Sequence, residues 1–197
     1  MILSIILNSA IVIITIIAIL MHKKNTTMKN LLRYFTVQSN VLCAAASLMV
    51  VIFRIIGVMP EWVLVLNYVG TTAVMVTLLT VLFFLGPSMG GYKDLLSGGD
   101  FYLHLICPLL ALISYLMVDR VDVGFIMVLY GILPVILYGL LYLYKVILDA
   151  EDRRWEDFYG FNRGGKWPVS MAAMFAGAFL VSVGLWLLGR MIGQIRI

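Results

Sequence analysis

Six stretches of the chain run for about twenty residues with no acidic or basic side chain, and short polar segments separate them. They cover residues 1–21, 34–53, 62–85, 101–118, 123–144 and 167–188, the fourth holding one histidine, His104. A helix needs about 20 residues to cross the hydrocarbon of a bilayer. A backbone in lipid must satisfy its own hydrogen bonds, and no barrel-like alternation of polar and apolar positions occurs, so the runs predict helices. The expected fold is an all-α integral membrane protein, one six-helix domain over residues 1–197.

One of these helices begins with a polar block: Arg33, Tyr34, Phe35, Thr36, Val37, Gln38, Ser39 and Asn40. Each polar group costs free energy in hydrocarbon unless it finds a partner, so this block is expected to face protein, water or substrate. Arg33, Thr36 and Asn40 share one helical stripe, with Ser39 and Cys43 beside it. Ala44, Ala45, Ala46 and Ser47 follow as a surface for close packing. In the fourth span, Asp100 reads as an N-cap, His104 follows one turn in, and Pro108 one turn further. Pro108 cannot bond the carbonyl four residues back, which is that of His104. An ionisable group inside a membrane helix is read first as functional, and Asp100 is an alternative orienting acid for its imidazole.

Composition agrees with the pattern: 63% of the 197 residues are hydrophobic and only 12% charged, against roughly 25% charged in soluble domains. Lys23 and Lys24 follow the first apolar run, whereas the positive charges of a signal peptide precede it, so that run is expected to stay as a helix. Cys43 and Cys107 lie within spans and read as apolar core thiols. No nucleic-acid motif, phosphate-cradling loop or metal constellation stands out, so neither cofactor nor metal is expected.

The charges also predict orientation. Ten basic residues fall in the first, third and fifth connections: Lys23, Lys24, Lys29, Arg33, Lys93, Lys145, Arg153, Arg154, Arg163 and Lys166. Four lie on the other side: Arg54, Arg120, Arg190 and Arg196. The positive-inside rule then puts the odd connections in the cytoplasm and both termini on the non-cytoplasmic side. Thr36 and His104 each enter from the cytoplasmic face and sit about 6–8 Å deep at 1.5 Å per residue.

The remaining polar positions carry plainer expectations. Asn67, Thr71, Thr72, Thr77 and Thr80 in the third span read as structural or cavity-lining. In the fifth, Tyr142 and Tyr144 read as an interfacial belt, and Tyr130 and Tyr138 as packing residues. The connection 149–166 interleaves acids, bases and aromatics, among them Trp155, Phe158, Tyr159 and Phe161. It reads as a segment lying on the membrane surface, either a plain anchor or a lid. In the sixth span Ser170, Ala173, Gly177 and Gly184 form a small-residue packing face.

Two local patterns together resemble a known family. Arg33-Tyr34-Phe35-Thr36 enters the second helix and His104-Leu105-Ile106-Cys107-Pro108 enters the fourth. Both resemble the motifs of the androgen-induced membrane hydrolases and their bacterial relatives, which hydrolyse fatty acid esters of hydroxy fatty acids. The resemblance implies a threonine nucleophile, Thr36, a histidine base, His104, and a fatty-acyl ester substrate drawn from a bacterial cell membrane. Arg33, Ser39 and Asn40 become candidates for holding the substrate or its oxyanion. Two other readings stay open: a small-molecule or lipid carrier, and a non-catalytic assembly or sensing protein. Neither oligomeric state nor partner protein is indicated.

Overall fold

A computed structural model describes residues 1–24 and 26–195, the last as backbone only. Arg196, counted in the charge asymmetry, lies outside the described residues. Six helices are long and apolar enough to cross a membrane: α1 (Ile2–Lys23), α2 (Phe35–Ile56), α3 (Glu61–Ser88), α4 (Gly98–Met117), α5 (Ile126–Leu148) and α6 (Trp167–Gln194). They match the six apolar runs to within a few residues at most ends. Where they differ, the turn chemistry explains it. Gly124 takes a left-handed φ of 85° and delays the start of α5 to Ile126. Gly57, at φ 84°, ends α2 and returns its N–H to the Phe53 carbonyl, the usual glycine stop for a helix.

The bundle is arranged around α3, which packs against α2, α4, α5 and α6, while α1 closes the far side over α2 and α4. Close approach needs small residues. A Cβ on Gly70 of α3 would lie 2.9 Å from the Cα of Cys43 in α2, and one on Gly131 of α5 would lie 2.3 Å from the Ser182 hydroxyl in α6. The expected small face of α6 is not such a contact. Nothing lies within 4 Å of a Cβ built at Gly177 or Gly184.

One end of the bundle is tied by a buried carboxylate that the sequence pattern did not mark. Asp119, fully buried after α4, accepts hydrogen bonds from Ser4 Oγ at 2.7 Å, Asn8 Nδ2 at 2.8 Å, Ser114 Oγ at 2.8 Å and Arg54 Nη2 at 2.9 Å. These donors come from α1, α4 and the end of α2. A charge in a membrane protein survives burial only with such compensation.

The other end carries three wide turns of π-helix: Val81–Leu85 in α3, Tyr102–Ile106 in α4 and Tyr144–Leu148 in α5. The first two run directly into Gly86-Pro87 and Cys107-Pro108. There the residue before each proline bonds five residues back, Gly86 N–H to Val81 O and Cys107 N–H to Tyr102 O. The extra residue accommodates a ring that cannot join the regular ladder.

Replacing Asp119 by alanine leaves the half-buried Arg54 and three buried polar donors without this acceptor. The expected loss is about 3–5 kcal/mol of stability, read as a lowered unfolding temperature in detergent, with Asp119→Asn losing less.

Candidate active site

The second and fourth helices are neighbours at the π-helical end. Asn40 makes the joint: its Nδ2 donates to the Thr36 carbonyl at 2.8 Å and to the Leu103 carbonyl of α4 at 3.0 Å. Ala18, Leu31, Val37 and Leu103 pack around this crossing. The π turn widens α4 at Tyr102–Ile106 and includes His104.

His104 is 6% exposed, and its Nε2 lies 3.3 Å from the Thr36 hydroxyl. Its other nitrogen, Nδ1, is 2.6 Å from the carbonyl oxygen of Leu95, in the connection before α4. A carbonyl can only accept, so Nδ1 carries the proton and Nε2 presents its lone pair. The Thr36 hydroxyl then donates to Nε2. This is the tautomer a general base requires, and the contact is at the loose end of the range usual for unliganded sites.

Asp100 takes no part in this pair. Its carboxylate lies 3.3 Å from His22 Nε2 on α1. Nor is it the N-cap, because the helix begins at Gly98 with Ser97 as its extended cap residue and Asp100 inside the first turn. The orienting acceptor is instead a backbone carbonyl, which no side-chain pattern can reveal.

The other predicted site residues are placed as struts. Both amide hydrogens of Asn40 are spent on carbonyls. Ser39 Oγ donates to the Thr36 carbonyl at 3.0 Å and meets the Thr77 hydroxyl at 2.9 Å. The Arg33 guanidinium lies over the Trp155 ring, 5.9 Å from its centroid, and the Arg33 carbonyl accepts the Tyr138 hydroxyl at 2.7 Å. Cys107 Sγ pairs with Thr15 Oγ1 at 3.4 Å, away from the imidazole. Among the described residues, no three His, Cys, Asp or Glu side chains group as metal ligands would.

The connection 149–166 folds inward against the bundle, not flat along a surface. Tyr138 and Tyr142 of α5 pack with Trp155, Phe158, Tyr159 and Phe161, and Phe35 joins from α2. Tyr142, expected as an interfacial belt, is therefore buried. Asp157 pins the turn, accepting the Phe161 and Asn162 amides at 2.7 Å each and the Tyr142 hydroxyl at 3.1 Å. Asp149, whose carboxyl is held below its usual range mainly by the Lys145 ammonium at 2.5 Å, fixes the start of the segment.

This fold-back carries Tyr159 to the start of α2. Its phenolic oxygen accepts the Phe35 N–H at 3.0 Å and also sits against Thr36 and Tyr138. Phe35 is the first residue of α2, and no side chain of Tyr34 caps it, so Tyr159 satisfies an amide that the helix itself leaves open. Burial pushes its phenol up to about 12.

Thr36 and Tyr159 share the wall of a cavity of about 390 Å³ between α3 and α6, within the range of small-molecule sites. Thr77, Thr80, Ser170, Tyr138 and Tyr142 also bring hydroxyl groups to its lining. The remaining walls are apolar, with Val76, Val135, Ala178 and Val181 inside and Phe83, Phe84 and Leu180 at an exposed rim. Ser170, Ala173 and Gly177 form its α6 side, so the small face of α6 borders a cleft. A second, smaller groove of about 260 Å³ lies between α2 and α5, past Gln38, Ser39 and Pro134, and shares Phe35 and Tyr138 with the first.

Asn40→Leu removes the amide bond across the α2–α4 joint and the one to the Thr36 carbonyl within α2, and leaves the Leu103 carbonyl without that donor. A destabilisation of about 1–3 kcal/mol is expected from thermal unfolding in detergent. Comparison with protein-family models, with curated proteins and with solved structures gives no match.

Proposed function

We propose that this protein is an intramembrane lipid esterase that uses Thr36 as nucleophile and His104 as base. The observation that carries the reading is the hydrogen-bonded series Thr36 Oγ1, His104 Nε2, His104 Nδ1 and Leu95 O, opening on a cleft with apolar walls. A threonine hydroxyl is a weak nucleophile until a base takes its proton. His104 presents an unprotonated nitrogen to that hydroxyl, and the Leu95 carbonyl would stabilise the imidazolium as it forms.

In the proposed cycle an acyl chain enters the α3–α6 cleft from the lipid side, past Phe83, Phe84 and Leu180. Thr36 Oγ1 attacks the ester carbonyl carbon while His104 Nε2 takes its proton. The tetrahedral adduct collapses, the C–O bond to the alcohol breaks, and His104 returns the proton to the departing oxygen. Water then adds to the acyl-threonine with His104 again as base, releasing the acid and restoring Thr36. The resemblance of the two motifs to the androgen-induced hydrolases points to fatty acid esters of hydroxy fatty acids, or related acyl lipids, as the substrate class. The excess of basic residues at the Thr36 end favours a cytoplasmic-facing site and outward termini in a bacterial cell membrane.

The core favours a site over a transport path. Ile11, Cys43, Val74 and Ala111, from four helices, pack together between the His104 end and the Asp119 end, where a carrier would need a polar route.

Purified protein is expected to hydrolyse members of a lipid-ester panel, with Thr36→Ala and His104→Ala each reduced to background and still folded. A fluorophosphonate is expected to label Thr36. Full activity in either variant, or labelling of Cys107 instead, would overturn the mechanism.

The cleft makes a separate prediction. Gly177→Leu places a side chain in open space on the α6 wall. Activity on long-chain esters is expected to fall by roughly tenfold or more relative to short-chain esters, by the energetics of lost methylene contacts. Chain-length profiles of kcat/KM would measure it.

A further inference from the structure

The hydrolase reading leaves the oxyanion without a donor. Acyl transfer needs a preorganised hydrogen-bond donor where negative charge develops on the carbonyl oxygen. The donors nearest to Thr36 in sequence are occupied: Asn40 by the Thr36 and Leu103 carbonyls, Ser39 by the Thr36 carbonyl and Thr77. The Phe35 amide is also taken, by Tyr159. Arg33 lies over Trp155 and is not among the residues lining the cleft.

Tyr159 remains. It lines the same cleft as Thr36 and sits against it, although 123 positions separate them in the chain. Its oxygen is engaged as an acceptor from the Phe35 N–H at 3.0 Å. The neighbouring Tyr138 hydroxyl gives its proton to the Arg33 carbonyl at 2.7 Å. The Tyr159 hydroxyl hydrogen is therefore not needed to satisfy α2; the Thr36 and Tyr138 hydroxyls are its other hydrogen-bond neighbours, and an ester carbonyl bound against Thr36 would take their place. We propose that Tyr159 is the oxyanion donor of this site: its O–H donates to the carbonyl oxygen of an ester bound against Thr36. The inference rests on the hydrolase reading and names a catalytic residue that neither motif contains.

Three physical features suit the phenol to this role. Accepting an amide at the start of α2 places its oxygen at the positive end of the helix dipole, which polarises the O–H bond. Burial keeps the phenol protonated well above neutral pH, so it remains a donor throughout the working range. The Tyr159 N–H donates to the Tyr142 hydroxyl at 3.2 Å, and Asp157 pins the same turn. The donor is thus held before substrate arrives, which is where electrostatic catalysis gains its advantage. When Thr36 Oγ1 bonds to the carbonyl carbon, the C=O π pair moves onto the oxygen and the Tyr159 hydrogen bond shortens. On collapse the pair returns to the carbonyl, and Tyr159 keeps its proton throughout.

The test uses an ester that the wild-type protein hydrolyses and its thiono counterpart, in which sulfur replaces the carbonyl oxygen. Tyr159→Phe is expected to lower kcat for the oxygen ester by about 10²–10³-fold, with KM nearly unchanged. Sulfur is a poor acceptor, so the thionoester should lose far less and the oxygen-to-sulfur rate ratio should collapse toward one. A purely structural role, in which Tyr159 only caps α2, would lower both rates alike and leave the ratio at its wild-type value, overturning the assignment. Unchanged kcat would overturn it too. Thr36→Ala measured alongside separates the two levels: activity surviving there removes the hydrolase reading itself. An inactive Thr36→Ala beside a fully active Tyr159→Phe removes only the oxyanion assignment.

Discussion

Lipid offers no hydrogen-bond partner, so a polar side chain inside this bundle is stable only where another part of the protein meets it. That constraint orders the interior. The Asp119 carboxylate collects four donors from three helices and binds their ends together. The Asn40 amide joins α2 to α4 by donating to the Thr36 carbonyl on its own helix and to the Leu103 carbonyl on the other. Thr36 and His104 obey the same rule with one difference: their hydrogen bond lies beside a cleft. The pair meets the cost of burial by its own hydrogen bond, and Thr36 still borders the cleft.

The aromatic fold-back gives this end its geometry. The connection 149–166 is amphipathic enough to rest on a membrane surface, yet it inserts Tyr159 and Phe161 against Tyr138 and Tyr142. Asp157 makes that insertion affordable by accepting the two amides that the turn exposes. The result closes the end of the α3–α6 cleft and supplies the missing cap of α2. Local turn chemistry in the fifth connection therefore decides what surrounds Thr36, some 120 residues earlier.

The six helices were legible because the apolar runs are long, uncharged and separated by turn residues, and such periodic signals survive any tertiary arrangement. The polar block at 33–40 was legible as a group in need of partners, but the sequence could not name them. Asn40 and Ser39 looked like free donors near Thr36, whereas each serves a carbonyl on its own or an adjacent helix. Asp100 was a reasonable capping residue, yet the helix starts two residues earlier and its carboxylate faces His22. Leu95 was invisible because only its backbone takes part. Asp119 stood outside the apolar runs, and nothing local distinguished it from a surface acid. Tyr159 was hidden by distance in the chain; its one signal was the density of aromatics between Trp155 and Phe161.

The irregular turns tie these observations together. Pro87 and Pro108 each follow a π turn, and both turns lie at the Thr36 end. A proline removes one ladder bond from a helix, and lipid cannot replace it. Inserting one residue restores the bonding around the ring, but it also widens the helix and rotates the residues that precede it. In α4 those residues include His104. In α3 they include Val81, Phe83, Phe84 and Leu85, which border the cleft. A regular helix at either place would turn these side chains to different faces. The prolines, visible in the sequence as breakers alone, thus belong to the same construction as the Thr36–His104 pair: one follows the turn that holds the imidazole and the other follows the turn that borders the cleft beside it.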